Sequence, residues 1–307
     1  MLRETALTIV ENDSQILIIS PVQAAMEHDA VFLATWLHGK SEKTRRAYEG
    51  DIRKFYVSAG KPLAQVQLAD VQAFIDTLTS LKASSKARTV AALKSCLSFA
   101  VKTGYLQFNV GAAVKLPKGE NRLAERIMSE QAVARMLAKE ENPRNHAILA
   151  LLYRAGLRAQ EVCTLQWRHV QPREEAGQLA IYGKGKKTRF VLLDQGTWDE
   201  VQALHPRAAE PDAYVFQSRQ RRSRAGETSR RLDESMIFRI VRAAAGRAGI
   251  TGNVSPHWMR HAHATHALEN GAPITLVKET LGHTSMETTA RYTHVRPNAS
   301  SGQYLKV

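Results

Sequence analysis

Apolar positions recur at helical spacing along most of the first hundred residues. From Val22, the stretch AAMEHDAVFLATWLHG carries one stripe through Met26, Val31, Leu33, Trp36 and Leu37, and Gly39 is its stop. Ser41 then opens SEKTRRAYEGDIRKFYVSAG. Here Ala47, Tyr48, Ile52, Phe55 and Tyr56 fall on one face, with Lys43, Arg45, Arg46, Arg53 and Lys54 on the other. LADVQAFIDTLTSL predicts a third helix. A fourth starts near Ser84–Ser85 and runs through KARTVAALKSCLSFAVKTG to Gly104. Residues 22–116 thus read as an all-helical unit. A loosely docked arm, 1–21, precedes it and a linker, 117–124, follows, where Pro117, Gly119 and nearby charges break the pattern.

The second half mixes periods. Ser129 can cap a helix in MSEQAVARMLAKEE, and Asn145 starts NHAILALLYRAG, stopped by Gly156. LRAQEVCTLQWRHV follows. The period then changes in GQLAIYGKGKKTRFVLLD, a β-hairpin candidate: Leu179, Ile181 and Tyr182, a Gly- and Lys-rich turn, then Phe190 to Leu193. From Asp199 the chain returns to helices, interrupted by the Arg-rich QSRQRRSRAGETSRRLDE, read as a loop that nucleic acid can order. The pattern predicts a mainly α chain with a small antiparallel β-sheet.

Composition narrows the partners. In 307 residues, Lys and Arg number 43 against 29 Asp and Glu, a formal net charge of +14. Such an excess points to a polyanion, nucleic acid before membrane. No stretch is long and apolar enough to span a bilayer. ILIISPV is too short for a signal segment and follows Glu4, Glu11 and Asp13 rather than basic residues. Cys96 and Cys163 sit in apolar helical patterns and fit buried thiols in a reducing compartment, so the expected location is the cytoplasm, in association with the nucleoid.

Candidate chemistry gathers near the end. SPHWMRHAHATHALENG places His257 three residues before Arg260, and LGHTSMETTARYTHV places His283 nine before Tyr292. Guanidinium grips two phosphate oxygens at once, and tyrosine can form a covalent ester. His257, His261, His263 and His266 invite a metal reading. His263, however, is turned away from the His257/His261 pair, and neither a Cys pair nor HExxH accompanies them, so no metal is assigned and the neighbouring histidines read as helix packing. Neither GxxxxGK[ST] nor a strand-linked GxGxxG turn is present, so nucleotide hydrolysis and dinucleotide binding lack their signatures.

Taken in order, GLRAQEV, GKGKK, HWMRH, LGH and RYTH resemble the tyrosine recombinase (phage integrase) family, including its Xer-like members. Each motif alone is weak; five in the family's order carry the resemblance across nearly the whole chain. It implies a two-domain clamp: a helical core-binding domain at 22–116, a mixed α/β catalytic domain at 125–298 and a C-terminal tail at 299–307. By the same resemblance Arg158 is the first catalytic arginine and Glu161 a supporting acid. Lys184 is the hairpin lysine, His257 and Arg260 the histidine and second arginine, His283 the last histidine and Tyr292 the nucleophile. Lys43, Arg45, Arg46, Lys86, Arg88, Lys186 and Lys187 are expected to contact DNA.

The side chains suit that assignment. Two guanidiniums can hold phosphate oxygens as negative charge grows on them. Tyrosine, with a free pKa near 10, needs a proton acceptor, a role that His257 can supply; His283 can hydrogen-bond the phosphate and Lys184 can protonate the leaving 5′ oxygen. The phosphotyrosine retains the energy of the broken bond, so no cofactor is required. The family further implies double-stranded DNA as partner and a tetramer on two sites, homomeric or shared with a related recombinase. The same resemblance implies that the tail docks on a neighbour and allows for an accessory DNA-bending or regulatory factor. Gln160, His263 and Trp258 depart from the family pattern without removing a catalytic group. A non-catalytic DNA-binding protein on the same scaffold and a type IB-like topoisomerase remain the alternatives.

Overall fold

A computed structural model describes residues 8–12, 15–19, 21–116, 127–174, 176–182, 188–206, 210–218 and 231–292. The chain divides into two compact units, Met1–Asn121 and Arg122–Val307. The linker expected at 117–124, most of the Arg-rich stretch and the tail lie outside the described residues.

The first unit opens with an antiparallel hairpin, β1 (Thr8–Asn12) paired to β2 (Gln15–Ile19), in the segment the sequence pattern assigns to a loose arm. The β-branched Thr8, Ile9, Val10, Ile16, Ile18 and Ile19 favour extended backbone, which is the signal that reading passes over. Five helices follow: α1 (Pro21–His28), α2 (Ala30–Leu37), α3 (Glu42–Ala59), α4 (Leu68–Thr77) and α5 (Ala83–Lys102). The single stripe expected from Met26 to Leu37 is in fact two helices broken at Asp29. That carboxylate is fully buried, accepting from Tyr56 Oη at 2.5 Å and from the Leu63 N–H at 2.7 Å, and from the Tyr105 hydroxyl as well. Drawing the backbone toward these donors changes the helical phase. Leu33 and Trp36 stay buried, while Val31 is 82 % exposed.

The remaining helices follow their local signals. Ser41 Oγ accepts the Thr44 N–H at 3.3 Å, capping α3 where its sequence predicts. Ile52, Phe55 and Tyr56 turn inward to meet a core that includes Phe74, Val90, Leu93 and Leu97.

In the second unit, α6 (Glu130–Ala138) is capped by Ser129, and α7 (Pro143–Tyr153) is capped by Asn142, whose side chain accepts the Asn145 N–H at 3.2 Å. The helix therefore begins before Asn145. Pro143 fits its first turn because no intrahelical N–H bond is needed there. Ala147 through Leu152 are completely buried, as expected of a helix apolar on every side. After α8 (Ala159–Thr164), the predicted hairpin gains a third strand. β3 (Val170–Arg173), β4 (Ala176–Tyr182) and β5 (Thr188–Leu193) form an antiparallel sheet in the order β3-β4-β5, with Leu179 opposite both Val170 and Val191. Asp194 caps α9 (Gln195–Gln202), which starts before Asp199, and α10 (Glu234–Arg247), α11 (Pro256–Glu269), α12 (Ile274–Leu281) and α13 (Met286–Ala290) complete the unit. Cys96 and Cys163 are buried free thiols. Among the described residues, no helix is long and apolar enough to cross a membrane.

Candidate active site

The end of α12 organises the site. The last carbonyls of a helix have no partner within it and carry partial negative charge, so they attract cationic donors. Each of three consecutive carbonyls here is claimed by a different arginine. Arg189 Nε donates to Thr280 O at 2.8 Å, Arg260 donates to Leu281 O, and Arg158 Nη2 donates to Gly282 O at 3.4 Å. Arg260 also donates to Gly156 O, just beyond the end of α7. Two helix ends thus fix one buried guanidinium. Burial and neighbouring Arg158 lower its pKa to about 9, so it remains cationic near neutral pH.

Glycine is required at both ends. Gly156 has φ +61, and a Cβ there would lie 2.8 Å from Leu281 Cδ2 and 2.9 Å from His263 Cδ2. Gly282 has φ +62, and its Cβ would approach Arg189 Cδ to 3.0 Å. The glycines of the GLR and LGH motifs therefore let α7 and α12 terminate against the arginines.

Glu161 holds the cations in place. Its carboxylate accepts from the Arg158 backbone N–H and Nη1, both at 2.8 Å, and from Arg189 Nη1 at 2.9 Å and Nη2 at 2.8 Å. Burial alone would raise the pKa of Glu161, but the paired hydrogen bonds and charge of Arg189, with help from Arg158, bring it down to about 2. Two guanidiniums grip this one carboxylate and a third, Arg260, lies nearby, leaving a positive excess where an anion is to bind.

Arg189 is a site residue that the sequence reading misses. Its signal lies in strand alternation: Arg189, Val191 and Leu193 share the inward face of β5, and an arginine in that row needs buried partners. It joins β5 to α8 and α12.

Tyr292, 8 % exposed just after α13, meets this pocket from the opposite side of the sequence. Its hydroxyl lies 2.7 Å from His261 Nδ1, and its ring stacks on His283 at 6.3 Å with a 12° interplanar angle. The histidine on the hydroxyl is thus His261, which the sequence reading assigns to packing, whereas His257 was expected to serve as acceptor. His257 is exposed one turn earlier on α11, with its ring 6.2 Å from that of His261. Burial raises the Tyr292 pKa, and Arg260, Arg291 and Arg158 oppose part of that rise. His283 Nδ1 pairs with buried Thr289 Oγ1 at 2.9 Å. Burial and the charges of Arg260, Arg158 and Arg189 hold His283 down at about 4, so its imidazole is neutral at pH 7.

Packing roles explain the other two histidines of α11. His263 Nδ1 donates to Tyr153 O at 2.7 Å. His266 Nε2 donates to Met128 O at 2.9 Å, which leaves Nδ1 to accept from the Tyr153 hydroxyl at 2.9 Å. Both are anchored by backbone carbonyls rather than aimed together. Trp258 packs partly buried against the main core, and Gln160 is exposed, so neither departure intrudes on the arginine cluster.

Lys184, Lys186 and Lys187 lie outside the described residues. In the helical unit, Lys43 is exposed; Arg45 and Arg46 share Glu42 at 2.6 and 2.9 Å. Arg88 pairs with buried Asp51, which also accepts from Thr89 Oγ1 at 3.0 Å, and Lys86 is half-exposed on the same helix. These cations lie in one unit and the arginine cluster in the other.

Known proteins resemble this chain over most of its length. Residues 125–299 match the phage integrase family, and residues 35–104 match the phage integrase N-terminal SAM-like domain. A tyrosine recombinase XerC of Mycobacterium tuberculosis (strain ATCC 25177 / H37Ra) is 31% identical over 288 residues, covering 89% of this chain and 95% of that protein. A tyrosine recombinase of Thermosipho africanus (strain TCF52B) is 29% identical over 268 residues, covering 83% and 89%. Among solved structures, the XerH site-specific recombinase bound to difH substrate in a pre-cleavage complex has a TM-score of 0.71 at 18% identity, covering 92% and 96%. A lambda integrase dimer bound to a COC′ core site has 0.67 at 16%, covering 91% and 97%. With the catalytic family spanning more than half of its length, this chain belongs to the phage integrase family of tyrosine recombinases.

Proposed function

We propose that this protein is a site-specific DNA recombinase that cuts and rejoins strands through a 3′-phosphotyrosine, exchanging them between two sites by way of a Holliday junction. The observation that carries the reading is the convergence of Arg158, Arg260, His283 and Tyr292, contributed by four separate chain segments, on one cationic pocket. Tyr292 attacks the phosphorus. Arg158 and Arg260 stabilise the charge that accumulates on the non-bridging oxygens, with Glu161 fixing Arg158. His257 and His283 offer hydrogen bonds to the phosphate, and Lys184 protonates the departing 5′ oxygen. That 5′ hydroxyl, or one from a partner strand, later attacks the phosphotyrosine and reseals the backbone, with no cofactor.

Residues 22–116 form the DNA-gripping domain in this reading, with Lys43, Arg45, Arg46, Lys86 and Arg88 on phosphates. Residues 125–298 form the catalytic domain, where Lys186 and Lys187 extend the contact. Strand exchange between two sites calls for four subunits, identical or shared with a related recombinase, linked through the 299–307 tail and acting on nucleoid DNA in the cytoplasm. An accessory DNA-bending factor is compatible with this arrangement.

A duplex nicked near the scissile phosphate, recovered by selection from a random-sequence pool, provides the test. Wild type is expected to trap a covalent adduct and Tyr292→Phe none. Tight binding without an adduct would leave a DNA-binding scaffold protein, and sequence-independent relaxation of supercoiled plasmid would make the protein a topoisomerase.

A further inference from the structure

We propose that Thr289 is a positioning residue for strand cleavage: its buried hydroxyl fixes the tautomer of His283 and ties that histidine to the segment carrying Tyr292. The assignment rests on the recombinase reading above, in which His283 offers a hydrogen bond to the phosphate, and adds the residue that keeps this donor aimed. In this scheme Thr289 acts through His283 rather than on the reacting atoms. Thr289 is completely buried, and its Oγ1 lies 2.9 Å from His283 Nδ1. Threonines in or at the end of other helices spend their hydroxyls differently. Thr35, Thr103 and Thr164 donate to the carbonyls of Val31, Phe99 and Gln160, four residues back, at 2.8, 2.9 and 2.9 Å. Among the described residues, the Thr289 hydroxyl makes no such bond and has His283 as its one partner.

That partnership sets the direction of the hydrogen bond. A buried hydroxyl hydrogen without an acceptor is costly, so Thr289 donates to Nδ1, which presents its lone pair. Burial and the charges of Arg260, Arg158 and Arg189 keep the ring neutral near pH 7. A neutral imidazole accepting at Nδ1 carries its proton on Nε2. The opposite tautomer would set an N–H against the hydroxyl and leave the hydroxyl hydrogen with nothing to meet. His283 therefore keeps an Nε2–H donor for a phosphate oxygen on which negative charge grows.

The same bond couples two pieces of the site. His283 follows Gly282 at the end of α12, and its backbone N–H donates to Lys278 O at 3.1 Å. Thr289 and Tyr292 are three residues apart, with the Tyr292 N–H donating to Thr289 O at 3.0 Å. Between them, α13 has five residues, too few to be stable without tertiary contacts. The Thr289–His283 bond and the stacking of His283 on Tyr292, at 6.3 Å and 12°, hold the nucleophile's segment against the end of α12. One hydroxyl thus aims the phosphate donor and anchors the nucleophile beside it.

The test separates the hydroxyl from the methyl. Thr289→Val keeps the shape and deletes the hydroxyl, and Thr289→Ser does the reverse. With protein in excess over the selected nicked duplex, valine is expected to slow single-turnover adduct formation about tenfold, the worth of one hydrogen bond, with duplex affinity unchanged. Serine should stay within about threefold of wild type, and valine added to His283→Ala should cost no more than about twofold further. A valine variant as fast as wild type, equal losses in valine and serine, or a full valine loss without His283 would each overturn the assignment and leave the recombinase reading standing. Nitrogen NMR of protein labelled at histidine, with His283 identified by its loss in His283→Ala, reads the tautomer without DNA. Wild type and serine should show the Nε2–H form and valine a mixture; an Nδ1–H form in wild type would overturn the assignment. Absence of an adduct from wild type would instead bring down the recombinase reading and the catalytic role of Thr289 with it, a failure that the spectra distinguish from a missing Thr289–His283 bond.

Discussion

Asp29 in the helical unit and Glu161 in the catalytic unit are carboxylates enclosed by hydrogen-bond donors, and the two are satisfied in opposite ways. Asp29, in the helical unit, accepts from two tyrosine hydroxyls and the Leu63 N–H, with His28 Nδ1 at its rim 2.9 Å away. Burial pushes its pKa up, but Tyr105, Tyr56 and Leu63 more than reverse this, so it stays ionised among largely neutral donors. Glu161, in the catalytic unit, is held by two guanidiniums, with a third, Arg260, nearby. The first arrangement is closed, with every donor pointing at the carboxylate. In the second, cations outnumber the anion, and the surplus is available to a phosphate. Surplus charge maintained by helix ends and a single acid distinguishes the site from an ordinary buried polar cluster.

Changes on either side can break or sharpen that contrast. The largest effect is expected from Arg260→Lys, which keeps the charge but loses the planar fork that spans Gly156 O and Leu281 O. Adduct formation should fall about 10²–10³-fold with little change in duplex affinity. A rate near wild type would show that the cation's geometry is dispensable.

Next comes acid titration of Glu161. Its folded pKa of about 2 lies below the ordinary 4.5, so its pairing stabilises the fold above about pH 4.5 and that stabilisation disappears as pH falls toward 2. At about 1.4 kcal/mol per unit, the full loss is roughly 3 kcal/mol. Urea unfolding across this range should show an acid slope that Glu161→Gln flattens; an unchanged slope would mean that the arginines do not hold the acid as described. The smallest effect is expected from Asp29→Asn, which retains one acceptor among donors that can rotate. Urea unfolding should report about 1–2 kcal/mol lost, with adduct formation unaltered once DNA is bound. A loss of cleavage in this variant would contradict the purely structural role of Asp29.

Legibility in the sequence followed the range of the interactions. Ser41 and Ser129 caps, the glycine stop beyond α5 and the β4–β5 hairpin were readable because each depends on a few adjacent residues. The helical stripe through Met26 and Val31 misled because Asp29 answers to Tyr56, Leu63 and Tyr105, far along the chain. Similarly, β3 lacks apolar alternation beyond Val170 and exists as a strand through its pairing with β4. Five short motifs pointed to the family because they preserve residue types in order. They gave no measure of which histidine Tyr292 would meet, since His257 and His261 occupy the same helical face.

Sequence alone therefore determined the helical character of the first unit, the cationic excess, the family and the residue types gathered for phosphate chemistry. Tertiary structure alone decided that Arg189 joins the site, that three carbonyls at the end of α12 divide three arginines among them, and that His261 meets the Tyr292 hydroxyl. The reason is physical: capping and periodicity are set by neighbours in the chain, whereas hydrogen bonds between residues 21 to 124 positions apart depend on how helix ends and strands pack in space.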